Sequence, residues 1–279
     1  MARTSTLKTA KLTPFVGAEV LDVDRDRLVN DQELPSAVLD ALEEHGVLLF
    51  RELHLDDETQ AAFCHTLGEV GLFPDHPVPE IYEVSYNPGN PYAKYSDATF
   101  EWHLDGTIDE GMPAKATILT AKVVAGQGGE TEFASMYVGY DSLSHDEKER
   151  CAGLRVVHTM ASVWRRVDPK PSPGQLEEWA ARGGHEHPLV WTHESGRRSL
   201  VIGSSADHIT GMDAEASRDL LDDLLERTTT PDRVFRHRWS VGDMVIWDNC
   251  GLMHRALRYD RASGRKMHRS TILGTEAIR

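Results

Sequence analysis

Residues 243–254, DMVIWDNCGLMH, begin as a buried strand, pass through a polar turn and end by presenting His254. The segments on either side have the same character. Val234–Ser240 and Asp243–Trp247 read as strands before the histidine, and Arg265–Gly274 reads as one after it. Along an extended chain alternate residues share a face. Arg265, Met267 and Arg269 therefore fall on one side of the last strand, and Lys266 and His268 on the other. At roughly 3.3 Å per residue the Cα atoms of the two arginines lie about 13 Å apart. The apolar neighbours Ile272 and Leu273 point to burial, and buried guanidinium groups need anionic partners. Surface ion pairing is the plainer alternative.

The rest of the chain is organised similarly. Residues 34–46 (LPSAVLDALEEHG) have apolar positions at helical spacing and a stop at Gly46, and Val47–Phe50 follows as a short buried strand. Residues 56–70 read as an amphipathic helix with an acidic N-cap. Ile81–Tyr86, 115–124 and 130–136 read as strands, the last two separated by a turn at Gly126–Gly129. A polar helix around 141–151, a strand at Leu154–Met160 and a hairpin over 188–203 turning at Glu194–Ser195–Gly196 come next. The helix at 212–227 has Asp213 near its start and Arg227 at its end, as the macrodipole favours. Short strands joined by turns, with helices inserted, predict a mainly β, α+β chain of the sandwich or jelly-roll type in a single domain over 1–279. Strands and helices do not alternate regularly, which disfavours Rossmann and TIM-barrel folds.

The 279 residues include 45 Asp plus Glu and 30 Lys plus Arg, a net charge of −15, with 40% hydrophobic and 27% charged residues. That composition is globular and excludes disordered, collagen-like and disulfide-scaffold classes. The acidic balance argues against nucleic acid and anionic membrane partners. Cys64, Cys151 and Cys250 form no CxxC pair, which suits a reducing cytoplasm, and Cys250 reads as an inert thiol near His254. The opening MARTSTLKTAKLTPF lacks the apolar stretch of a signal peptide, and no run of 18 apolar residues predicts a membrane helix.

Fourteen histidines raise the question of metal binding. In residues 100–107 (FEWHLDGT), His103 and Asp105 converge on one face of an extended chain while Leu104 points away. One imidazole and one carboxylate make two-thirds of the facial triad that binds non-haem Fe(II) and leaves positions open for oxygen chemistry. The third ligand must come from far along the chain, and His254 is placed to supply it. The other candidates read as structural. His54 sits in a loop with Asp56 near a helix start, His145 and Asp146 sit at the start of a polar helix, and His185 and His187 lie in a Gly- and His-rich solvated loop.

Together these segments resemble the TauD/TfdA family of Fe(II)- and 2-oxoglutarate-dependent dioxygenases. The resemblance rests on Trp102–Asp105, Gly128-Gly129-Glu130-Thr131, Ser199–Gly203, Gly211-Met212-Asp213, Gly242-Asp243, Trp247-Asp248-Asn249, His254-Arg255 and Arg265–Gly274, in the family's order. Thr131 follows Asp105 by 26 positions and Arg265 follows His254 by 11, both at the family's spacing. It implies a double-stranded β-helix with surrounding helices. It implies that His103, Asp105 and His254 hold Fe(II), that Arg265 and Thr131 take the distal carboxylate of 2-oxoglutarate, and that Arg269 serves cosubstrate, substrate or both. It further implies use of O2, release of succinate and CO2, and hydroxylation of a C–H bond. Asp105 fills the position that related halogenases leave open for chloride. A dimer or tetramer is also implied.

For the substrate, Phe73, His76 and Thr99 stand at the positions that contact sulfonate in taurine-using members, and two of those three contacts are changed. With Gly106, these residues are expected to line the substrate pocket, and Tyr92 and Phe100 are further aromatic candidates. Residues 133–143 and 254–269 lean towards the aryloxyalkanoate branch. The expected substrate is a small organic acid, carboxylate or sulfonate, with an apolar body. Two other readings predict different behaviour: a cupin-like metal isomerase or hydrolase acting without O2, and a non-catalytic small-acid binding protein.

Overall fold

The computed structural model describes residues 7–108, 112–168 and 170–279, with Lys94 described without its side chain. Residues 1–6 of the stretch read for a leader lie outside the described residues. In chain order the elements begin β1 (Thr9–Lys11), β2 (Ala18–Val20), α1 (Arg25–Asn30), α2 (Leu34–His45), β3 (Val47–Phe50), α3 (Asp57–Leu67) and β4 (Tyr82–Ser85). A 3-10 helix, Ala93–Phe100, leads to β5 (Ala116–Val123), β6 (Thr131–Ser135), α4 (Met136–Asp141), α5 (His145–Cys151) and β7 (Arg155–Thr159). There follow α6 (Met160–Val167), α7 (Pro173–Ala181), β8 (Gly184–Pro188), β9 (Val190–Thr192), β10 (Arg198–Leu200), β11 (Ala206–Ile209) and α8 (Ala214–Thr228). The chain closes with β12 (Val234–His237), β13 (Met244–Asp248), β14 (Leu252–Ala256), a short 3-10 turn at Arg261–Ser263 and β15 (Lys266–Ile272).

A seven-stranded mixed sheet in the order β1-β2-β3-β13-β5-β15-β4 forms the backbone of the molecule. Only β2 and β3 pair in parallel; the other neighbours are antiparallel. A three-stranded sheet, β12-β6-β14, packs against it through one apolar layer. Val47, Leu49, Val245, Trp247 and Met267 from the large sheet meet Phe133, Phe235 and Leu252 from the small one. Leu48, Phe50, Met244 and Ile246, on the opposite face, pack on α1 to α3 through Leu28, Val38, Leu42 and Phe63. The VLLF run of β3 is uninterrupted because both of its faces are covered, the pattern expected of a strand buried between two layers. A third cluster surrounds the β11-β7-β8 sheet, the β9–β10 hairpin, α4 and α8.

Local signals explain the ends of several elements. The α2 stripe Leu34, Val38, Leu42 is buried, and Gly46 stops the helix at φ +72°, with its N–H donating to the Leu42 carbonyl. Asp56 and Asp213 cap α3 and α8 by accepting from backbone N–H groups. Two departures from the sequence reading matter for the site. The strand at Leu154–Met160 stops at Thr159, whose hydroxyl caps α6 by accepting from Ser162 N at 3.0 Å. Residues 185–187 are not a solvated loop. They belong to β8, which pairs with β7 and buries His187. No helix among the described residues is long and apolar enough to cross a membrane.

Candidate active site

Backbone pairing brings His103 and His254 together. The two residues form an antiparallel bridge, His103 N to His254 O at 3.1 Å and His254 N to His103 O at 3.0 Å. Asp105 follows two residues after His103, while Leu104 points away into the third apolar cluster. The chain then turns at Gly106, φ +88°, where a Cβ would lie 2.7 Å from the Pro113 Cα. The turn is held from behind by a buried polar network. His187 Nε2–H donates to the Thr107 carbonyl at 2.9 Å. The Thr107 and Ser205 hydroxyls are 2.9 Å apart, and Ser205 Oγ lies 2.8 Å from His158 Nδ1. Burial pushes the pKa of His158 down to about 3, so this network is neutral.

The three side chains present their donors to a common point. His103 Nε2 lies 3.9 Å from Asp105 Oδ1, and His254 Nε2 lies 4.0 Å from Asp105 Oδ2. One donor atom from each residue falls within 4.8 Å of the other two. His103 Nδ1 is 2.7 Å from the Glu101 carbonyl, which can only accept, so Nδ1 carries a proton and Nε2 is the ring nitrogen that faces the centre. Burial, reinforced by His103, lowers the pKa of His254 far below the ordinary histidine value, and its ring is neutral. Burial alone would raise Asp105; the charge of Arg269 outweighs it and holds the carboxyl at about 2. Two imidazoles and one carboxylate are the donor set of a non-haem Fe(II) site, and their spacing fits one ion. The His254 Nδ1 is buried with no partner among the described residues, and its ring packs on Trp247 at 4.7 Å and Phe133 at 6.4 Å.

The arginine strand stands beside this point. Arg269 Nη2 donates to Asp105 Oδ2 at 2.7 Å. Arg265 is 4% exposed, donates to the Gly129 carbonyl at 3.1 Å and lies 4.8 Å from the Tyr259 ring centre. Thr131, Arg265, Arg269, His103 and His254 line one narrow cavity. The Thr131 oxygen accepts from Trp239 Nε1–H at 3.0 Å.

A second cavity, 290 Å³, opens over His103, Asp105 and Arg269. That is at the lower end of the ~300–1,000 Å³ typical of small-molecule sites. Thr99 and Gly106 line it. Phe73 and His76 do not. They line a separate pocket with Tyr92, and Tyr82 forms the wall between the two. The loop that carries His76 instead docks on the outer face of β15, where His76 meets the His268 ring edge-on at 5.3 Å. Phe100 packs against Tyr259 and lies outside the cavity. Sequence reading missed Tyr82, Tyr95, Met160, Val163 and Trp164, which supply much of the lining. The one available signal was the apolar spacing of Met160, Val163 and Trp164 in α6.

Asp57, His76 and His268 form a second group of donors within 4.8 Å of one another. Here Lys122 Nζ lies 2.9 Å from the same Asp57 oxygen that pairs with His268 Nδ1 at 2.7 Å. These contacts join α3 and the 71–80 loop to β15.

The family model for the taurine catabolism dioxygenase TauD, TfdA family, matches residues 8–271. The chain belongs to the TauD/TfdA family. It is therefore a non-haem iron dioxygenase that uses Fe(II), 2-oxoglutarate and O2. It is 34% identical to the alpha-ketoglutarate-dependent 2,4-dichlorophenoxyacetate dioxygenase of Cupriavidus pinatubonensis, over 96% of this chain and 98% of that protein. It is 31% identical to an alpha-ketoglutarate-dependent sulfate ester dioxygenase of Pseudomonas putida, over 93% and 87%. Among solved structures it resembles AAD-2 in complex with Mn(II) and N-oxalylglycine, with a TM-score of 0.82, 29% identity and coverage of 98% and 100%.

Proposed function

We propose that His103, Asp105 and His254 hold the Fe(II), that Thr131 and Arg265 hold the distal carboxylate of 2-oxoglutarate, and that the 290 Å³ cavity above them receives a small organic acid with an apolar body. The observation that carries this reading is the shared geometry. Three donors converge within 4.8 Å, and the same narrow cavity contains a buried arginine and a buried hydroxyl. When bound, Fe(II) with 2-oxoglutarate and O2 supplies oxidative decarboxylation to succinate and CO2, coupled to hydroxylation of a C–H bond.

The chain's own residues select, orient and enclose. Arg269 holds the Asp105 carboxylate ionised and in place through its 2.7 Å hydrogen bond. Arg269 lines both cavities, a position that serves cosubstrate and substrate alike. Ile108, Met160, Val163 and Trp164 give the substrate cavity an apolar body that excludes water from the reacting bond. This lining favours an aryloxyalkanoate or similar acid over a compact, fully polar one such as taurine. Relatives named for 2,4-dichlorophenoxyacetate, (S)-phenoxypropionate and sulfate esters point the same way.

The two sheets facing across one apolar layer support a double-stranded β-helix, and pairing of β3 with β13 and of β4 with β15 supports a single domain over 1–279. Three unpaired cysteines support a cytoplasmic location. A dimer or tetramer is the expected assembly, to be checked by light scattering. The substrate reading is tested by succinate release against a panel of aryloxyalkanoates, alkyl sulfates and taurine. Turnover should be greatest with an acid of apolar body, and a clear preference for taurine would overturn it.

A further inference from the structure

The Trp239 indole lies outside the cavity shared by the cosubstrate and metal residues, yet it touches that cavity through one bond. Its Nε1 is 3.0 Å from Thr131 Oγ1. Both residues are buried, at 7% and 4% exposure. An indole N–H can only donate, so the Thr131 oxygen must accept. The single hydroxyl proton of Thr131 is then directed away from Trp239. Thr131 and Arg265 line one cavity, and Trp239 and Arg265 line a neighbouring one. Trp239 is fixed in turn. Its ring packs edge-on against His237 at 4.5 Å and belongs to the apolar layer between the sheets.

We propose that Trp239 is a positioning residue for the cosubstrate. By occupying the acceptor side of Thr131, it turns that hydroxyl into a fixed donor aimed at the same anion that Arg265 attracts. A free hydroxyl could present either its proton or a lone pair, and a lone pair facing a carboxylate would repel it. The Trp239 bond removes that choice before the ligand arrives. The inference rests on the assignment of Thr131 and Arg265 to the distal carboxylate of 2-oxoglutarate.

The experiment measures the dissociation constant of 2-oxoglutarate for Mn(II)-loaded protein by calorimetry, with turnover kinetics alongside, for wild type, Trp239→Phe, Thr131→Val, the double variant and Arg265→Gln. Phenylalanine keeps most of the ring packing and removes the donor. Trp239→Phe should weaken binding about five- to tenfold, the scale of one hydrogen bond within a charged site. KM for 2-oxoglutarate should rise while kcat at saturation changes little. In the Thr131→Val background the same change should have no further effect, because no hydroxyl remains to orient. A 2-oxo acid of similar length without the distal carboxylate should be bound equally by wild type and Trp239→Phe. Equal losses from Trp239→Phe with and without Thr131, or equal losses for both 2-oxo acids, would overturn the proposal in favour of simple packing. Unchanged 2-oxoglutarate binding in Arg265→Gln would overturn the underlying assignment instead.

Discussion

Gly129 makes room for Arg265, and filling that room has a calculable cost. Its backbone sits at φ +76°, and an added Cβ would lie 2.9 Å from Arg265 Nε and 3.1 Å from Arg265 Cδ. Gly129→Ala therefore incurs two separate costs. The left-handed backbone costs an L-residue about 1 kcal/mol. The guanidinium must also shift, and it is buried and bonded to the Gly129 carbonyl at 3.1 Å. Losing a hydrogen bond from a charged group costs about 1.5–3 kcal/mol. Gly196, in the β9–β10 turn, provides the control. Its φ is +82°, and no atom of the described residues lies within 4 Å of its added Cβ. Gly196→Ala should lose only the backbone term, about 1 kcal/mol, and Gly129→Ala about 3 kcal/mol, measured by urea unfolding under one set of conditions. Displacing Arg265 should also raise KM for 2-oxoglutarate at least about tenfold, the equivalent of 1.4 kcal/mol, and Gly196→Ala should leave it unchanged. Equal stability losses with an unaltered KM in both variants would refute the claim that Gly129 shapes the arginine pocket.

Other expectations follow from the same contacts. Arg269→Met removes the 2.7 Å bond to Asp105 and the cation facing both ligands; kcat/KM for the organic acid should fall about 10- to 100-fold, the scale of a lost charged hydrogen bond, in steady-state assays. Asp248 is buried, which pushes its pKa up to about 6, so its folded form binds protons more tightly than the unfolded chain. Its penalty is absent below about pH 4, develops between about 4 and 6 and is complete above that. Asp248→Asn, which keeps an acceptor for the Cys250 N–H, should therefore be more stable than wild type by about 2–3 kcal/mol at pH 7 and no more stable at pH 3.5, by urea melts at both pH values. His187→Phe leaves the Thr107 carbonyl without its donor and should cost about 1–3 kcal/mol, read as a lowered unfolding midpoint.

Most of the framework was legible because its signals are local. The α2 stripe ends at a glycine that adopts positive φ, and β3 and β13 are apolar on both faces because both are covered. His103, Asp105, His254, Arg265 and Arg269 were legible for a different reason: each lies on or beside a strand, where alternation fixes the direction of a side chain. Loop positions lack that constraint. His76 shares its sequence neighbourhood with the expected pocket, but Asp57 and His268 draw it to the outer face of β15. The cavity wall from α6 was hidden because β7 runs directly into the helix, and only the Thr159 cap marks the boundary. His187 looked like a loop residue in a polar, Gly-rich stretch. Its burial depends on the partner strand β7 and on Thr107, which are both distant in sequence.

The central claim is that His103, Asp105 and His254 bind Fe(II) in a position that 2-oxoglutarate can chelate. Anaerobic addition of Fe(II) and then 2-oxoglutarate to the purified protein tests it through the visible spectrum. A metal-to-ligand charge-transfer band should appear only with both components and be lost in His103→Ala. A protein that binds a full equivalent of Fe(II) and gives no such band, or a band that survives His103→Ala unchanged, would contradict it.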